Sequence, residues 1–328
     1  MSRYARIVGW GKYLPSQILT NHEIAQKLPT SHEWIVTRTG IHERRIAAEA
    51  ETPSSMGVLA AQDALKQASL WPEDLDLIIA ATSSPDRLLP SCAALIQKGL
   101  GAPPIPAFDL NAACSGFLYS LHVAHQLIQT GAYQTILVVG AEVYSRMLNW
   151  EDRSTCVLFG DGAGAMVLRA SDAPGGILSC VAGNDGTRAD LIQVPGISAS
   201  CSDPLVNGRA HLTMDGGPVF KIAVRVLVDS AQRALDQAGL TPADLDLFIP
   251  HQANLRIIQS AAEATGIPKD KVFVNVDRYG NTAAASIPIA VCEAADAGRL
   301  KQGTRVLLAG VGAGFSWATM AVEWRTNP

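Results

Sequence analysis

The chain has 328 residues, 48% of them hydrophobic and 17% charged, so it can bury a large core, has the length of two ordinary domains, and is not a disordered polymer. A formal net charge of −4 argues against a nucleic-acid binder working through a general basic surface. The six cysteines (Cys92, Cys114, Cys156, Cys180, Cys201 and Cys292) form no CxxC pair and no disulfide-like spacing, which fits a reducing cytosol.

The N-terminus carries Arg3, Arg6 and an early glycine pair but lacks the apolar core of a signal peptide, so a cytoplasmic protein is expected. Residues 61–68 read as an amphipathic helix that passes through Leu70 and Pro72 into an apolar run ending at Ile79. At 105–110 a strand-like run breaks into the small residues 111–116. From Phe117 onward Leu118, Leu121, Ala124, His125 and Ile128 then recur at helical spacing. Cys114 therefore falls at a helix start, where unpaired backbone N–H groups and the helix dipole lower a thiol pKa, and small neighbours leave the sulfur open. A lone cysteine more often packs as a small hydrophobe, so its role depends on what converges on it. His122 and His125 share a helix face without a third ligand nearby, and no metal site is expected.

The segment 61–79 reappears as 231–249: Ala-Gln-x-Ala-Leu-x-Gln-Ala, then Leu, Pro and Asp-Leu-Asp-Leu. At the same offset 136–140 matches 306–310, each an apolar strand followed by glycine. Two similar α/β halves follow, 1–173 and 174–328, with the seam at Ala173-Pro174-Gly175-Gly176. Strands this apolar are covered on both faces, so each half should hold a mixed, mostly parallel sheet between helices. Two stacked halves sharing a helical layer make a five-layer α-β-α-β-α sandwich, with the site where loops of both halves meet. The uncharged stretch 306–322 approaches the length of a membrane span, yet Gly310, Gly312 and Gly314 divide it into two buried strands around a turn.

Just past the second copy of the strand, Pro250 is followed by His251-Gln252-Ala253-Asn254-Leu255-Arg256. A third element, 277–286, follows the apolar run 272–276 and again opens into small residues and a helix, roughly mirroring Cys114. Cys114 in AACSGF, His251 in PHQANLR and Asn281 in RYGNTAAAS resemble the Cys-His-Asn set of β-ketoacyl-acyl-carrier-protein synthase III, the condensing enzyme that initiates fatty-acid synthesis, within the thiolase fold. The resemblance spans the chain, including 33–41 (EWIVTRTGI), 159–165 (FGDGAGA) and 312–317 (GAGFSW).

The resemblance implies a decarboxylative condensation of an acyl-CoA primer with malonyl-acyl-carrier protein through an acyl-Cys114 intermediate, with no metal or organic cofactor. It places the oxyanion hole at the backbone N–H groups of Cys114 and Ala313. His251 and Asn281 would donate to the malonyl thioester oxygen. Trp34, Arg38, Arg153 and Arg256 would hold coenzyme A, Lys221 and Arg256 would face the carrier protein, and Leu89, Phe159 and Met214 would bound the acyl pocket. Members are homodimers, and the position of Leu89 reaches across the dimer, where many carry phenylalanine. Two departures stand out: Ala313 replaces the usual glycine, and 261–264 reads Ala-Ala-Glu-Ala where lysines are common. The rival readings are an acyl-CoA-dependent acyltransferase or ester-forming relative on the same fold, and a non-catalytic acyl-carrier-binding subunit. A degradative thiolase is disfavoured because no second cysteine stands in the turn 312–315, and an elongating synthase because Asn281 stands where that branch has a second histidine.

Overall fold

The structure is a computed structural model, and residues 3–196 and 211–326 are described here; Cys201 lies outside the described residues. In the first half the order is β1 (Tyr4–Tyr13), β2 (Gln17–Thr20), α1 (Asn21–Ala25), α2 (His32–Thr39), β3 (Glu43–Ile46), α3 (Pro53–Ala68), β4 (Leu77–Ala81), α4 (Cys92–Leu100), β5 (Ala107–Leu110), α5 (Gly116–Gln129), β6 (Thr135–Val143) and β7 (Asp161–Ser171). The second runs β8 (Gly176–Asn184), β9 (Ile192–Gln193), β10 (Thr213–Met214), α6 (Gly216–Ala238), β11 (Leu247–Pro250), α7 (Leu255–Thr265), α8 (Val276–Tyr279), α9 (Ser286–Asp296), β12 (Arg305–Gly312) and β13 (Ser316–Glu323).

Both anticipated helices begin and end for local reasons. Thr52 caps α3 with its hydroxyl on the Ser55 N–H, Pro53 opens the helix, and Ser69 closes it in the left-handed region. Its counterpart α6 closes at Gly239, again left-handed.

The five-stranded sheet has the order β1-β7-β6-β4-β5 and the four-stranded sheet β11-β12-β13-β8. By the repeat β4 and β6 correspond to β11 and β12, and by their place in the sheet order β7 corresponds to β13. Helices α5 and α9 lie between the two sheets, α3 and α4 cover the first sheet outside, and α6 covers the second with α7 packed beside it. This is the five-layer sandwich. Its central core joins Phe117, Leu121 and Ile128 of α5 to Ile287 and Val291 of α9 and to inward residues of both sheets, such as Ile79 and Leu308.

One expectation needs correction. The sheets are mixed, as expected, but not mostly parallel: β4 is parallel to β5 and β6, and β11 to β12, but β1/β7, β6/β7, β12/β13 and β13/β8 are antiparallel. The three-residue connection from β12 to β13 permits only an antiparallel return. The apolar run 272–276 forms no strand. It makes a single parallel bridge, Phe248 to Val272, because the Gln252 side chain takes over the pairing: its Oε1 accepts from the N–H groups of Asn275 and Val276, and its Nε2 donates to the carbonyls of Pro250 and Phe273. The uncharged stretch 306–322 is the β12–β13 pair, and no helix among the described residues is long and apolar enough to cross a membrane.

Candidate active site

Each half places its chemistry with the same turn. After β5, Asn111 Oδ1 accepts from the Ala113 N–H at 3.2 Å, Ala113 takes φ +46°, and a 3-10 turn (Ala113–Ser115) leads into α5. In the second half Asn281 Oδ1 accepts from the Ala283 N–H at 2.8 Å, Ala283 also has φ +46°, and a 3-10 turn (Ala283–Ala285) leads into α9. A non-glycine residue held in the left-handed region costs on the order of 1 kcal/mol and persists where the surroundings enforce it. Here a side-chain acceptor enforces it twice. His251 stands just past β11, its N–H bonded to the Ala309 carbonyl at 2.7 Å.

Cys114, His251 and Asn281 all line one cavity of about 820 Å³ of empty space including its mouth. The hydrogen bonds set what each can offer. Asn281 spends its oxygen on Ala283, which leaves its NH2 group to face the Cys114 sulfur. Ser286 Oγ accepts from the Gln252 N–H at 3.3 Å and lies 2.5 Å from His251 Nδ1. When the Ser286 hydroxyl gives its proton to Nδ1, the ring proton of a neutral His251 sits on Nε2. Burial holds the imidazole neutral by lowering its pKa to about 4.

The thiol departs from expectation. Burial, aided by the nearby Glu142 carboxylate, pushes Cys114 up to about 12, while its own backbone N–H and Asn281 act in the lowering direction. Desolvation in an apolar cavity outweighs the helix start, so the unliganded thiol keeps its proton. Glu142, buried beneath the site, is itself raised to about 7 by burial against the lowering effect of Ser84, Ser83 and Thr82.

Ala313 lines the same cavity as Cys114. The preceding position must be glycine, because a Cβ on Gly312 would stand 2.8 Å from the Cys114 nitrogen. That contact brings the β12–β13 turn against the nucleophile turn, and hydroxyls join them: Ser115 Oγ is 2.7 Å from Ser316 Oγ, which also donates to the Ala313 carbonyl at 2.9 Å.

Phe159 and Met214 line the cavity. Leu89 does not; it is 86% exposed on the loop between β4 and α4. Outside the cavity, the Arg38 guanidinium lies 4.5 Å and that of Arg153 4.9 Å from the Trp34 ring centroid, so those three form one aromatic-cationic cluster. Arg256 stacks separately over Phe220 at 5.3 Å, beside the exposed Lys221. In α7, Ala261 and Ala262 are buried, so the departure from lysine is a surface matter only at Glu263 and Ala264. His122 and His125 gather no third partner: no group of three or more His, Cys, Asp or Glu that could hold a metal ion occurs among the described residues.

The motif reading missed Ser286, Gln252, Tyr144 and Glu142. Ser286 carried a readable signal, since it stands where the first copy has Gly116, and a polar residue at a duplicated helix start invites the question of what it bonds. Tyr144 and Glu142 carried none, because their importance lies in contacts distant in sequence.

A duplicated five-layer sandwich with a cysteine, a neutral histidine and an asparagine around one cavity defines a condensing enzyme of the thiolase-like class. Residues 108–186 match the family 3-Oxoacyl-[acyl-carrier-protein (ACP)] synthase III, and residues 235–324 match its C-terminal region. The Beta-ketoacyl-[acyl-carrier-protein] synthase III of Methylococcus capsulatus is 48% identical over 99% of this chain and 100% of its own. The crystal structure of 3-oxoacyl-[acyl-carrier-protein] synthase III from Aquifex aeolicus superposes with a TM-score of 0.92 at 45% identity, covering 98% of this chain and 100% of that one. A priming β-ketosynthase of a polyketide biosynthetic pathway superposes with a TM-score of 0.93 at 39% identity, covering 100% and 98%. The chain belongs to the β-ketoacyl-acyl-carrier-protein synthase III family, acyltransferase-type condensing enzymes of fatty-acid biosynthesis.

Proposed function

We propose that this protein joins an acyl primer from acyl-CoA to the two-carbon unit of malonyl-acyl-carrier protein, with Cys114, His251 and Asn281 as its catalytic residues. The Cys114 sulfur attacks the primer thioester, the C–S bond to coenzyme A breaks, and the thiol proton ends on the departing coenzyme A. The N–H groups of Cys114 and Ala313 receive the charge that develops on the carbonyl oxygen. Malonyl thioester then takes the vacated place. His251 Nε2–H and the Asn281 NH2 donate to its thioester oxygen as CO2 leaves. The resulting enolate carbon attacks the acyl-cysteine, forming the C–C bond and releasing the cysteine. The observation that carries this reading is the convergence on a cysteine of an asparagine, whose oxygen is taken by the Ala283 N–H so that its NH2 is free to donate, and a buried histidine held at Nδ1 by Ser286 with Nε2 left for the substrate.

The Trp34 cluster, with Arg38 and Arg153, suits the adenine end of coenzyme A, and Arg256 its phosphates. Lys221 and Arg256 suit an acidic carrier protein. The protein works as a cytoplasmic homodimer without a resident cofactor, its halves 1–173 and 174–328 each contributing one wall of the site. Intact-protein mass spectrometry after exposure to a panel of acyl-CoAs tests the reading. Wild type should gain one acyl group on Cys114 and then release CO2 from malonyl-carrier protein. An acylated protein that ignores malonyl thioesters and passes its acyl group to an alcohol or amine would replace this reading with the acyltransferase one. Absence of acylation would leave the non-catalytic carrier-binding subunit.

A further inference from the structure

We infer that Tyr144 is a primer-length stop, its ring held against the acyl cavity by a buried tether that runs through Ser83 to Glu142. The inference rests on the acyl-transfer reading of the cavity given above. Glu142 is fully buried at the end of β6 and has no Lys or Arg within ion-pair distance among the described residues. Its oxygens are satisfied by neutral donors alone: the N–H groups of Ser83 and Ser84 and the hydroxyls of Thr82, Ser83 and Ser84.

A buried carboxylate without a cation is an expensive anchor, and the donor count shows what it anchors. Ser83 Oγ gives its proton to Glu142 Oε1 at 2.9 Å. Its remaining contact, the Tyr144 hydroxyl at 2.8 Å, must therefore be one in which tyrosine donates and serine accepts. The hydroxyl is drawn away from the cavity, and the ring remains as an apolar wall. Tyr144 lines the cavity beside Cys114 and stacks on Phe159 with centroids 5.0 Å apart and planes inclined by 20°. A ring fixed at one end by a buried hydrogen bond and on one face by another ring cannot swing aside for a longer chain. The tether belongs to the first half alone, since the duplicated positions of Glu142 and Ser83 are Gly312 and Ala253.

Ser83→Ala removes the tether and keeps the ring; Tyr144→Phe removes the hydroxyl and keeps the wall. For each, the rate of Cys114 acylation is measured by rapid-quench mass spectrometry with acetyl-CoA and hexanoyl-CoA, beside a thermal melt. The hexanoyl-to-acetyl ratio should rise roughly three- to tenfold in either variant, the range expected for one net hydrogen bond. The double variant should show no more than the larger single effect, because both changes cut the same tether. Ratios within about twofold of wild type in folded variants, or fully additive effects in the double variant, would overturn the inference. If Ser83→Ala does not fold, the Tyr144→Phe ratio decides alone. Wild-type protein that takes no acyl group from any acyl-CoA would overturn the acyl-transfer reading and the tether together, whereas normal acylation with unmoved ratios would overturn the tether only.

Discussion

The turns at 111–116 and 281–286 share a backbone and differ in chemistry. Both use an asparagine side chain to hold an alanine at φ +46° and both open a helix into the shared central layer. The first places Cys114 where the second has Ala284, and Gly116 where the second has Ser286. Likewise His251 follows its strand at the place of Ala81 in the first half. Duplication supplied the frame twice, and on the proposed reading the reacting groups are divided: the nucleophile on one copy, the donors to the enolate on the other. The asparagine shows the division best. Asn111 is exposed and only shapes its turn, whereas Asn281 is 7% exposed and turns its amide NH2 toward the sulfur.

The sharpest way to break this comparison is to move the nucleophile across it. Cys114→Ala should abolish acyl-enzyme formation with the fold intact, read as loss of the acyl mass shift, and adding Ala284→Cys should not restore it. The mirror position is 1% exposed and does not line the cavity that Cys114 lines, so a thiol there meets no substrate. Acylation of the double variant would show that the two turns are chemically equivalent, contrary to the division argued here. Next in size is Asn281→Ala. Loss of one preorganised donor costs ~10²–10³ in rate. Condensation and CO2 release from malonyl-carrier protein should fall together by that factor, while acylation of Cys114 persists. CO2 release at the wild-type rate would remove Asn281 from the enolate step.

The duplication was legible because helix and strand periodicity survive in both copies, and Cys114, His251 and Asn281 were legible because Cys114 and His251 each follow a strand end, because Asn281 opens a run of small residues that mirrors the one at Cys114, and because all three fall in motifs that resemble one family. The groups that make them work were not. Ser286 orients His251 from 35 residues away, and the Gln252 side chain takes up backbone groups of the apolar run 272–276, which makes a single bridge. The state of the thiol was misread for a related reason. A helix start can be read from sequence, but the apolar walls that desolvate Cys114 come from distant segments, among them Phe159, Leu212 and Met214.

The two halves should also respond oppositely to acid. His251, with its pKa lowered from 6.5 to about 4, refuses a proton that the unfolded chain accepts, so its contribution to stability is complete above pH 6.5 and is lost as pH falls toward about 4. Glu142, raised from 4.5 to about 7, has the reverse sign: the folded chain binds a proton that the unfolded chain releases, so its contribution is present below pH 4.5 and is lost as pH rises through about 7. Between these limits they oppose one another. Thermal midpoints measured from pH 7 to pH 5 should therefore drop more steeply in Glu142→Gln than in wild type and less steeply in His251→Asn. Shifts of the same sign in both variants would refute the opposed linkage.

The smallest effect expected belongs to a residue that the single chain leaves outside the site. Leu89 is 86% exposed, yet the loop that bears it grows from Ser83 and Ser84, the residues fixed on Glu142, so its base is rigid while its tip projects. A large apolar side chain held out on such a base is suited to a second copy, where it would close the far end of that copy's acyl pocket. Leucine in place of a bulkier phenylalanine leaves room for about one or two methylenes, each worth roughly 0.8 kcal/mol when buried, or about fourfold in rate apiece. Wild type should accordingly prefer butyryl or hexanoyl primers to acetyl, and Leu89→Phe should move the preference back toward acetyl by about fourfold per methylene displaced. If Leu89 closes the pocket of a second copy while Tyr144 bounds it from within one chain, only the Leu89 effect should fade on dilution to monomers. An acetyl preference in wild type that Leu89→Phe leaves unchanged would mean that the loop tip does not reach the pocket and that the chain's own wall sets primer length.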